Sequence, residues 1–474
     1  MRAISRRQFL AASGTLAAPG PLFAAQKSPA PATNVLFIVV DDLRPDLGCY
    51  EHPRVQTPNI DRLAERGIRF RRNYCQQASG TPSRASVLTG LRPDTTRVYD
   101  ATTSFRRHLP DAVTVPEHFK RHGYQTTAFG KVFGPPEIDD RPSWSIAPSF
   151  SEETPGGQSW LALDAGDNEL TDGKTADAAV EALGDLRGSR FFLATGFSKP
   201  HLPFAVPKKY FDLYPVSSIK NTEQPGPPRG APDYALHSSP ELRDYRDIPS
   251  EGPIPAPQAK RLIRAYYASI SYVDAQIGRL LDGLDESGLA ESTIVCLWSD
   301  SGFHLGDLGL WTKNTSFESA VHTPMIIAAP GRRNRGRNCR ALTELVDLYP
   351  TLCDLCGVPI PADLEGSSLT PLIEDPERLW KRAVFSQIPR DIPGRGAGMG
   401  RSLRTPRYRY TEWTDDDTPY KASELYDYEV LPLETVNVSS RPRNVSLVNG
   451  LAGILEEGWA GSLPPSDPRS SVKS

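Results

Sequence analysis

The sequence predicts an α/β fold: a large domain on a largely parallel sheet flanked by helices, then a small C-terminal α+β subdomain with an antiparallel sheet. Three observations predict it. Short, continuously apolar runs that suit strands buried on both faces recur up to about residue 330. A long helical periodicity lies between two of them, which suits strands joined by crossover helices. From about Ala383 the pattern changes to short aromatic runs such as Tyr408-Arg409-Tyr410-Thr411, which suit antiparallel strands.

Residues 5–10 read Ser-Arg-Arg-Gln-Phe-Leu, and a weakly apolar stretch from Ala11 to Ala25 follows. The segment 1–25 reads as a twin-arginine export signal cleaved near Ala25, and less specifically as an ordinary secretory signal or a disordered tail. Either export route predicts a periplasmic or extracellular protein. Residues 26–33 read as a linker. The large domain, 34–382, opens with the apolar strand Asn34 to Val40, which ends in Asp41-Asp42. Thr57 at the N-cap and Pro58 at the first helical position open a helix through Leu63 and Ala64. Further strands are expected at Arg190 to Phe197, Ser292 to Trp298 and Met325 to Ala329. The clearest helix runs from about Arg261 to Leu284, where Leu262, Tyr266, Ile270, Val273, Ile277, Leu280 and Leu284 step by three and four. A second long helix is expected over Leu342 to Cys356. The C-terminal subdomain spans 383–460, and residues 461–474, rich in Ser and Pro, are expected to be disordered.

Composition narrows the function classes. Lys plus Arg is 54 and Asp plus Glu is 57, so the net charge of −3 offers no basic excess for nucleic acid or an anionic membrane. No apolar run approaches the roughly 18 residues of a membrane-spanning helix. Six cysteines are too few for a disulfide scaffold in so long a chain. Cys75 reads as a buried or loop thiol. Cys353-x-x-Cys356 lies in an apolar helical run with no second pair and reads as core. The run Arg332, Arg333, Arg335, Arg337 and Arg340 reads first as a solvated loop and less readily as a contact for a sulfated polymer. Gly394-x-Gly396-x-Gly398 follows no buried strand, which excludes a dinucleotide site.

Sites in α/β sheets form at the carboxyl ends of strands. Two expected strands end in acids, Asp41-Asp42 and Asp300. Carboxylates converging from separate strands suit a hard cation; the competing reading is helix caps or solvated loop residues. His304, close to Asp300 in sequence, either borders such a pocket or bonds within its own loop.

The stretch Asn73 to Asp100, NYCQQASGTPSRASVLTGLRPDTTRVYD, resembles the signature of the sulfatase family, Cys-x-Pro-Ser-Arg followed by Leu-Thr-Gly, and most closely its iduronate-2-sulfatase branch. Collinear support runs from about residue 34 to 440, through Val39-Val40-Asp41-Asp42, Gly130-Lys131-Val132-Phe133, Lys199-Pro200-His201-Leu202-Pro203-Phe204, Asp300 through Lys313, and Leu364-Glu365-Gly366. The resemblance implies a central mixed sheet in the large domain. It also implies hydrolysis of a sulfuric ester of carbohydrate, or of another anionic ester, by a formylglycine nucleophile and a divalent cation, calcium or magnesium. Carried over by position, Asp41, Asp42 and Asp300 match metal ligands. Arg84 matches the signature arginine, Lys131 and Lys313 the sulfate-contacting lysines, and His201 the proton donor. Lys199 is a weaker match for substrate contact.

Four positions depart from the family pattern. Gly80 stands where the nucleophile is Cys or Ser, Ser301 where the fourth metal ligand is Asn or His, and Gly134 and Leu308 where relatives carry His. Glycine has no Cβ to oxidise, so formylglycine cannot form at Gly80. A serine hydroxyl at 301 weakens the cation site. The expectations are therefore a sulfatase-type hydrolase, a catalytically silent homologue that binds sulfated glycan, or a phosphoesterase or sulfoesterase using Ser79 or Thr81. A metal-bound hydroxide attacking directly is a further route.

Overall fold

The computed structural model describes residues 34–134, 140–149, 157–415, 418–431 and 433–472. The expected export signal (1–25) and linker (26–33) lie outside the described residues. A mixed sheet carries the large domain. Its order is His322–Thr323, Ile68–Tyr74, Met325–Ala328, Thr293–Ser299, Asn34–Val40, Phe191–Phe197, Gln125–Gly130, and Asn338–Glu344 adds parallel to Ile68–Tyr74. The four strands Thr293–Ser299, Asn34–Val40, Phe191–Phe197 and Gln125–Gly130 are mutually parallel, whereas Met325–Ala328 is antiparallel to both its neighbours.

The central strands are apolar throughout because both faces are covered. Leu36, Ile38 and Val40 point into one core with Leu193, Phe197, Val295 and Leu297. Val35, Phe37 and Val39 point into the other with Phe192, Ala194, Cys296 and Trp298. The first core is closed by the helix Ala256–Glu286, longer at both ends than its expected extent. It presents Leu262, Tyr266, Ile270, Val273, Ile277, Leu280 and Leu284 to the sheet. The second is closed by Leu348–Cys356 and by Gly80–Thr89. Cys353, Cys356 and Cys75 are buried free thiols of that core.

Several local expectations need correction. Leu342 is not helical: Asn338–Glu344 is a strand with a bulge between Cys339 and Leu342, and the helix begins only at Leu348. Pro58–Arg66 is a helix, but the Thr57 hydroxyl caps nothing; it donates to Asp61 Oδ1 and accepts from the Gly48 N–H. The Gly394-to-Gly398 stretch is the turn and first residues of a hairpin. That hairpin belongs to a four-stranded antiparallel sheet, Val384–Ile392, Gly396–Arg404, Tyr408–Asp415 and Lys421–Asp427, backed by the helix Val445–Glu457. Residues 461–472 are not extended coil. Arg469 donates to the carbonyls of Leu364 and Gly366, and Asp467 accepts from Ser367, so three polar anchors offset the weak apolar content of this segment. The arginine run flanks and enters Asn338–Glu344; Arg332 pairs with Glu374, Arg335 with Glu291 and Arg337 with Glu377, as a solvated face would. No helix among the described residues is long and apolar enough to cross a membrane.

Candidate active site

Four parallel strands contribute to the site, and their carboxyl ends open on the same edge of the sheet. Asn34–Val40 leads into Asp41 and Asp42, Thr293–Ser299 into Asp300 and Ser301, Gln125–Gly130 into Lys131, and Phe191–Phe197 into Lys199 and His201. Asp42 takes a left-handed backbone conformation (φ 59°), a turn that aspartate tolerates better than branched residues. The turn is fixed from both sides. The Asp42 N–H donates to Asp300 Oδ1 at 3.1 Å, and the Tyr266 hydroxyl donates to the Asp42 carbonyl at 2.6 Å.

Asp41, Asp42 and Asp300 are buried, and one oxygen of each lies within 4.8 Å of the others. Arg84, from the helix Gly80–Thr89, ties this group together. Its Nε donates to Asp300 Oδ2 at 2.7 Å, Nη2 lies 3.5 Å from Asp41 Oδ1, and Nη1 donates to the carbonyls of Lys131 and Val132. Lys131 Nζ reaches Asp41 Oδ2 at 2.5 Å, and Lys313 Nζ reaches Asp42 Oδ2 at 2.6 Å. His201 Nε2 lies 3.8 Å from Asp42 Oδ2 and 3.0 Å from Glu241 Oε1. Ser301 Oγ donates to Asp42 Oδ1 at 2.9 Å. Acids and bases thus interleave, and the half-exposed members (Lys131, His201, Glu241 and Gly80) mark the open side.

The electrostatics follow from this interleaving. Burial raises the Asp41 carboxyl, but Lys131, His201, Arg84 and Lys313 outweigh it and hold the group well below the ordinary carboxylate range. Burial, with the Asp41 charge beside it, carries Asp300 up to about 6 against the pull of Arg84. Asp42 is also raised by burial, despite Lys313. Burial and Lys313 pull His201 down, yet Asp41, Asp42 and Glu241 together leave it above the usual imidazole value.

Gly80 is the first residue of the helix Gly80–Thr89, whose remaining nine residues are all buried. A Cβ built on Gly80 would lie 3.2 Å from Asp300 Oδ2 and 4.0 Å from Asp41 Oδ1. The position therefore faces the acidic group, and the chain places no side chain there. Thr81 Oγ1 is engaged, donating to the Ala101 carbonyl at 2.9 Å. Ser79 is the half-exposed N-cap residue, and its side chain makes no capping bond.

The remaining expected positions make other contacts. Lys199 is buried and donates to the carbonyl of His201. Leu308 packs with Phe317, Ile388, Trp413 and Tyr426 against the small sheet. His304 bonds Thr315 Oγ1 at 2.9 Å and stands edge-on to Phe317, which is the within-loop alternative. Glu241 was not foreseen. It sits on the four-residue helix Pro240–Arg243, in a proline-rich stretch without periodicity, and no sequence signal marks it.

The donor set fits a hard divalent cation. Three buried carboxylates supply oxygen ligands, and Asp41 Oδ1 is buried without a hydrogen-bond partner.

A profile described as sulfatase matches residues 33–358, and one described as N-sulphoglucosamine sulphohydrolase, C-terminal, matches 306–459. The chain is 36% identical to human iduronate 2-sulfatase, over 86% of this chain and 91% of that protein. It is 32% identical to a sulfatase of Formosa agariphila, over 89% and 86% respectively. Among solved structures, a phosphonate monoester hydrolase of Agrobacterium radiobacter superposes with a TM-score of 0.76 at 24% identity, covering 90% of this chain and 95% of that one. A protein solved in complex with its substrate D-glucosamine-2-N,6-O-disulfate superposes with a TM-score of 0.73 at 22% identity, covering 90% and 97%. These two show the shared fold.

Proposed function

Because the chain belongs to the sulfatase family, we propose that its acidic and basic cluster receives the sulfate ester of a sulfated carbohydrate, and that Gly80 makes the pocket one that holds the ester without cleaving it by the family's covalent route. The observation that carries this reading is the direction of Gly80. The vector on which relatives carry a nucleophile points at Asp300 and Asp41 and ends in a hydrogen. A glycine supplies no attacking hydroxyl and no carbon to mature into an aldehyde.

The rest of the pocket keeps what an anion needs. Lys131, Lys313, Arg84 and His201 present positive or hydrogen-donating groups around one opening. Asp41, Asp42 and Asp300 would hold the cation, calcium or magnesium, with Ser301 as a weak fourth group. Such an ion supplies charge that draws sulfate oxygens into the site. Lys131 and Lys313 now rest on Asp41 and Asp42. An arriving anion competes for those ammonium groups, so both lysines are the movable part of the site. His201 donates from Nδ1 to the Leu202 carbonyl, and its Nε2 proton faces Glu241 Oε1 at the open side of the site, so an arriving ester oxygen competes with Glu241 for that proton. The same lineage, with the segment at residues 5–10, supports export from the bacterial cytoplasm. The domain division into 34–382 and 383–460 belongs to the same proposal, and the change from the large sheet to the small one supports it.

A second reading, hydrolysis with Ser79 as nucleophile, is favoured by that residue's half-exposed, uncapped side chain one position before Gly80. Thr81 is the weaker candidate because its hydroxyl is engaged. One experiment separates the readings. The full-length mature protein is incubated with sulfated oligosaccharides and aryl sulfate and phosphate esters, with and without calcium, and binding and anion release are both measured. The binding reading expects retention of sulfated oligosaccharide with release at background. Turnover that disappears in Ser79→Ala establishes the second reading and rejects the first.

A further inference from the structure

Away from the acidic cluster, a cavity of about 220 Å³ lies where the large domain meets the small sheet. Its walls come from three places: Gln76 with Asp94 and Arg92, Phe385 with Gln387 and Arg401, and Trp459 at the end of the helix Val445–Glu457. None of the residues that hold the carboxylate cluster lines it. Gln76 is 1% exposed, and both atoms of its carboxamide, Nε2 and Oε1, are buried without a hydrogen-bond partner. A primary amide offers two donors and an acceptor. Leaving all of them unmade in an interior is costly, so the group calls for a partner, which a water or the hydroxyl of a ligand can supply. The neighbours are set differently. Asp94 Oδ1 accepts from Gln387 Nε2 at 2.9 Å, and Asp94 Oδ2 lies 3.5 Å from the half-exposed Arg401 Nε. Arg92 is spent on Glu344, with which it makes two hydrogen bonds, and its guanidinium packs against the rings of Trp459 and Phe385.

The chemistry of these walls selects the occupant. The charges are paired internally, Asp94 with Arg401 and Arg92 with Glu344, so no net charge is left for a sulfate or phosphate. What remains is one buried group that both gives and accepts hydrogen bonds, a polar rim, and an apolar wall of Phe385, Leu455 and Trp459. A pyranose ring has that make-up: hydroxyl or acetamido groups on its edge and C–H faces. The volume, about seven waters at roughly 30 Å³ each, suits one ring rather than a chain. We propose that this cavity, built around Gln76, is a second carbohydrate site that takes an uncharged sugar ring. It would give a glycan a foothold independent of the sulfate pocket, and it does not depend on whether that pocket is catalytic.

The test uses the full chain with two neutral single-ring probes, N-acetylglucosamine and methyl glucoside, titrated by calorimetry and by tryptophan fluorescence. At least one should bind with a Kd on the order of 1 mM or tighter. Gln76→Leu should weaken that binding by about tenfold or more, since it removes every polar atom of the orphaned amide. Arg401→Ala, at the exposed rim, tests the same cavity without touching the interior and should weaken binding as well. Binding should persist in excess inorganic sulfate. Failure of both probes at ten times that concentration overturns the proposal. So does binding that both variants leave unchanged, or binding that sulfate displaces.

Discussion

Gly80→Cys is the most informative change to this protein. The cost to folding can be worked from the geometry. A Cβ at 3.2 Å from Asp300 Oδ2 is a tight contact, and the next atom, Asp41 Oδ1, is at an ordinary 4.0 Å. Asp300 must yield by a few tenths of an ångström while held by Arg84 and the Asp42 N–H. Mild overpacking of this kind costs about 1 kcal/mol, at the low end of the usual range. Replacing glycine recovers roughly 0.4–1 kcal/mol by restricting the unfolded chain. The variant should therefore fold with its stability changed by less than about 1 kcal/mol. With the substitution, residues 80–84 complete the Cys-x-Pro-Ser-Arg signature, since Pro82, Ser83 and Arg84 are already present. Co-expressed with a maturation enzyme and supplied with calcium, it should release sulfate from aryl sulfate or sulfated oligosaccharide on the order of 10³-fold or more above the parent, the scale that a nucleophile contributes. Gly80→Ala should gain nothing. The assay is sulfate release, with mass spectrometry confirming the aldehyde. A fully matured variant that stays at the parent's rate would refute the argument, because the missing side chain would then not be what silences the pocket.

Three further outcomes follow from other contacts. Calcium at about 100 times its Kd should stabilise the protein by roughly 3 kcal/mol in thermal unfolding, and Asp41→Asn should abolish the shift. A shift that persists in that variant would remove Asp41 from the cation site. Arg84→Ala takes from buried Asp300 its cationic partner, leaves Asp41 to Lys131, and removes a donor from the carbonyls of Lys131 and Val132. It should cost about 3–5 kcal/mol, read as a lowered denaturant midpoint, and a smaller loss would show that water replaces the guanidinium. His304 is held down to about 3 by burial, against the opposing pull of Asp307. A depressed folded-state imidazole makes the native protein bind fewer protons than the unfolded chain. Stability should thus fall as pH drops below about 6.5, by roughly 2 kcal/mol at pH 5. His304→Gln should flatten that slope in a series of melts, and an unchanged slope would assign the acid sensitivity elsewhere.

The parts of the fold that were legible in the sequence are those where composition and burial agree. Asn34–Val40 and Thr293–Ser299 are buried on both faces and read as unbroken apolar runs, and Ala256–Glu286 shows its buried face as a three-four step. Ile68–Tyr74 escaped notice because Arg69, Arg71 and Arg72 interrupt it, yet it pairs with three strands. Their long stems cross the sheet to find acceptors: Arg69 reaches the carbonyls of Cys49 and Gly336. Gln125–Gly130 holds two threonines and one aromatic ring and lacks Val, Ile and Leu altogether. The end of the strand Asn338–Glu344, from Leu342 on, reads as part of the following helix because Leu342, Leu345, Leu348 and Leu352 keep a helical step across the bend.

The residues gathered at the sheet edge were legible at Asp41-Asp42 and Asp300, where an apolar strand ends in acids, whereas Lys131 was legible only through the resemblance because its strand carries no signal. The sequence was illegible where a side chain arrives from a loop of no pattern, as Glu241 does, or where the informative fact is an absence of partners, as at Gln76. Leu308 illustrates the reverse: its sequence position suggested the pocket, but its side chain belongs to the contact with the small sheet.

The helix that begins at Gly80 packs on every side except at that residue. Selection for a stable fold therefore has little purchase on residue 80, the position that the proposed reading makes decisive for turnover. A single-base change in a cysteine or serine codon yields glycine, and a gene copy making that change would retain its architecture and its grip on anions while shedding turnover. On the reading proposed above, conversion of a degrader into a receptor is a short evolutionary step on this scaffold, and the reverse path stays open for as long as Pro82, Ser83 and Arg84 are kept.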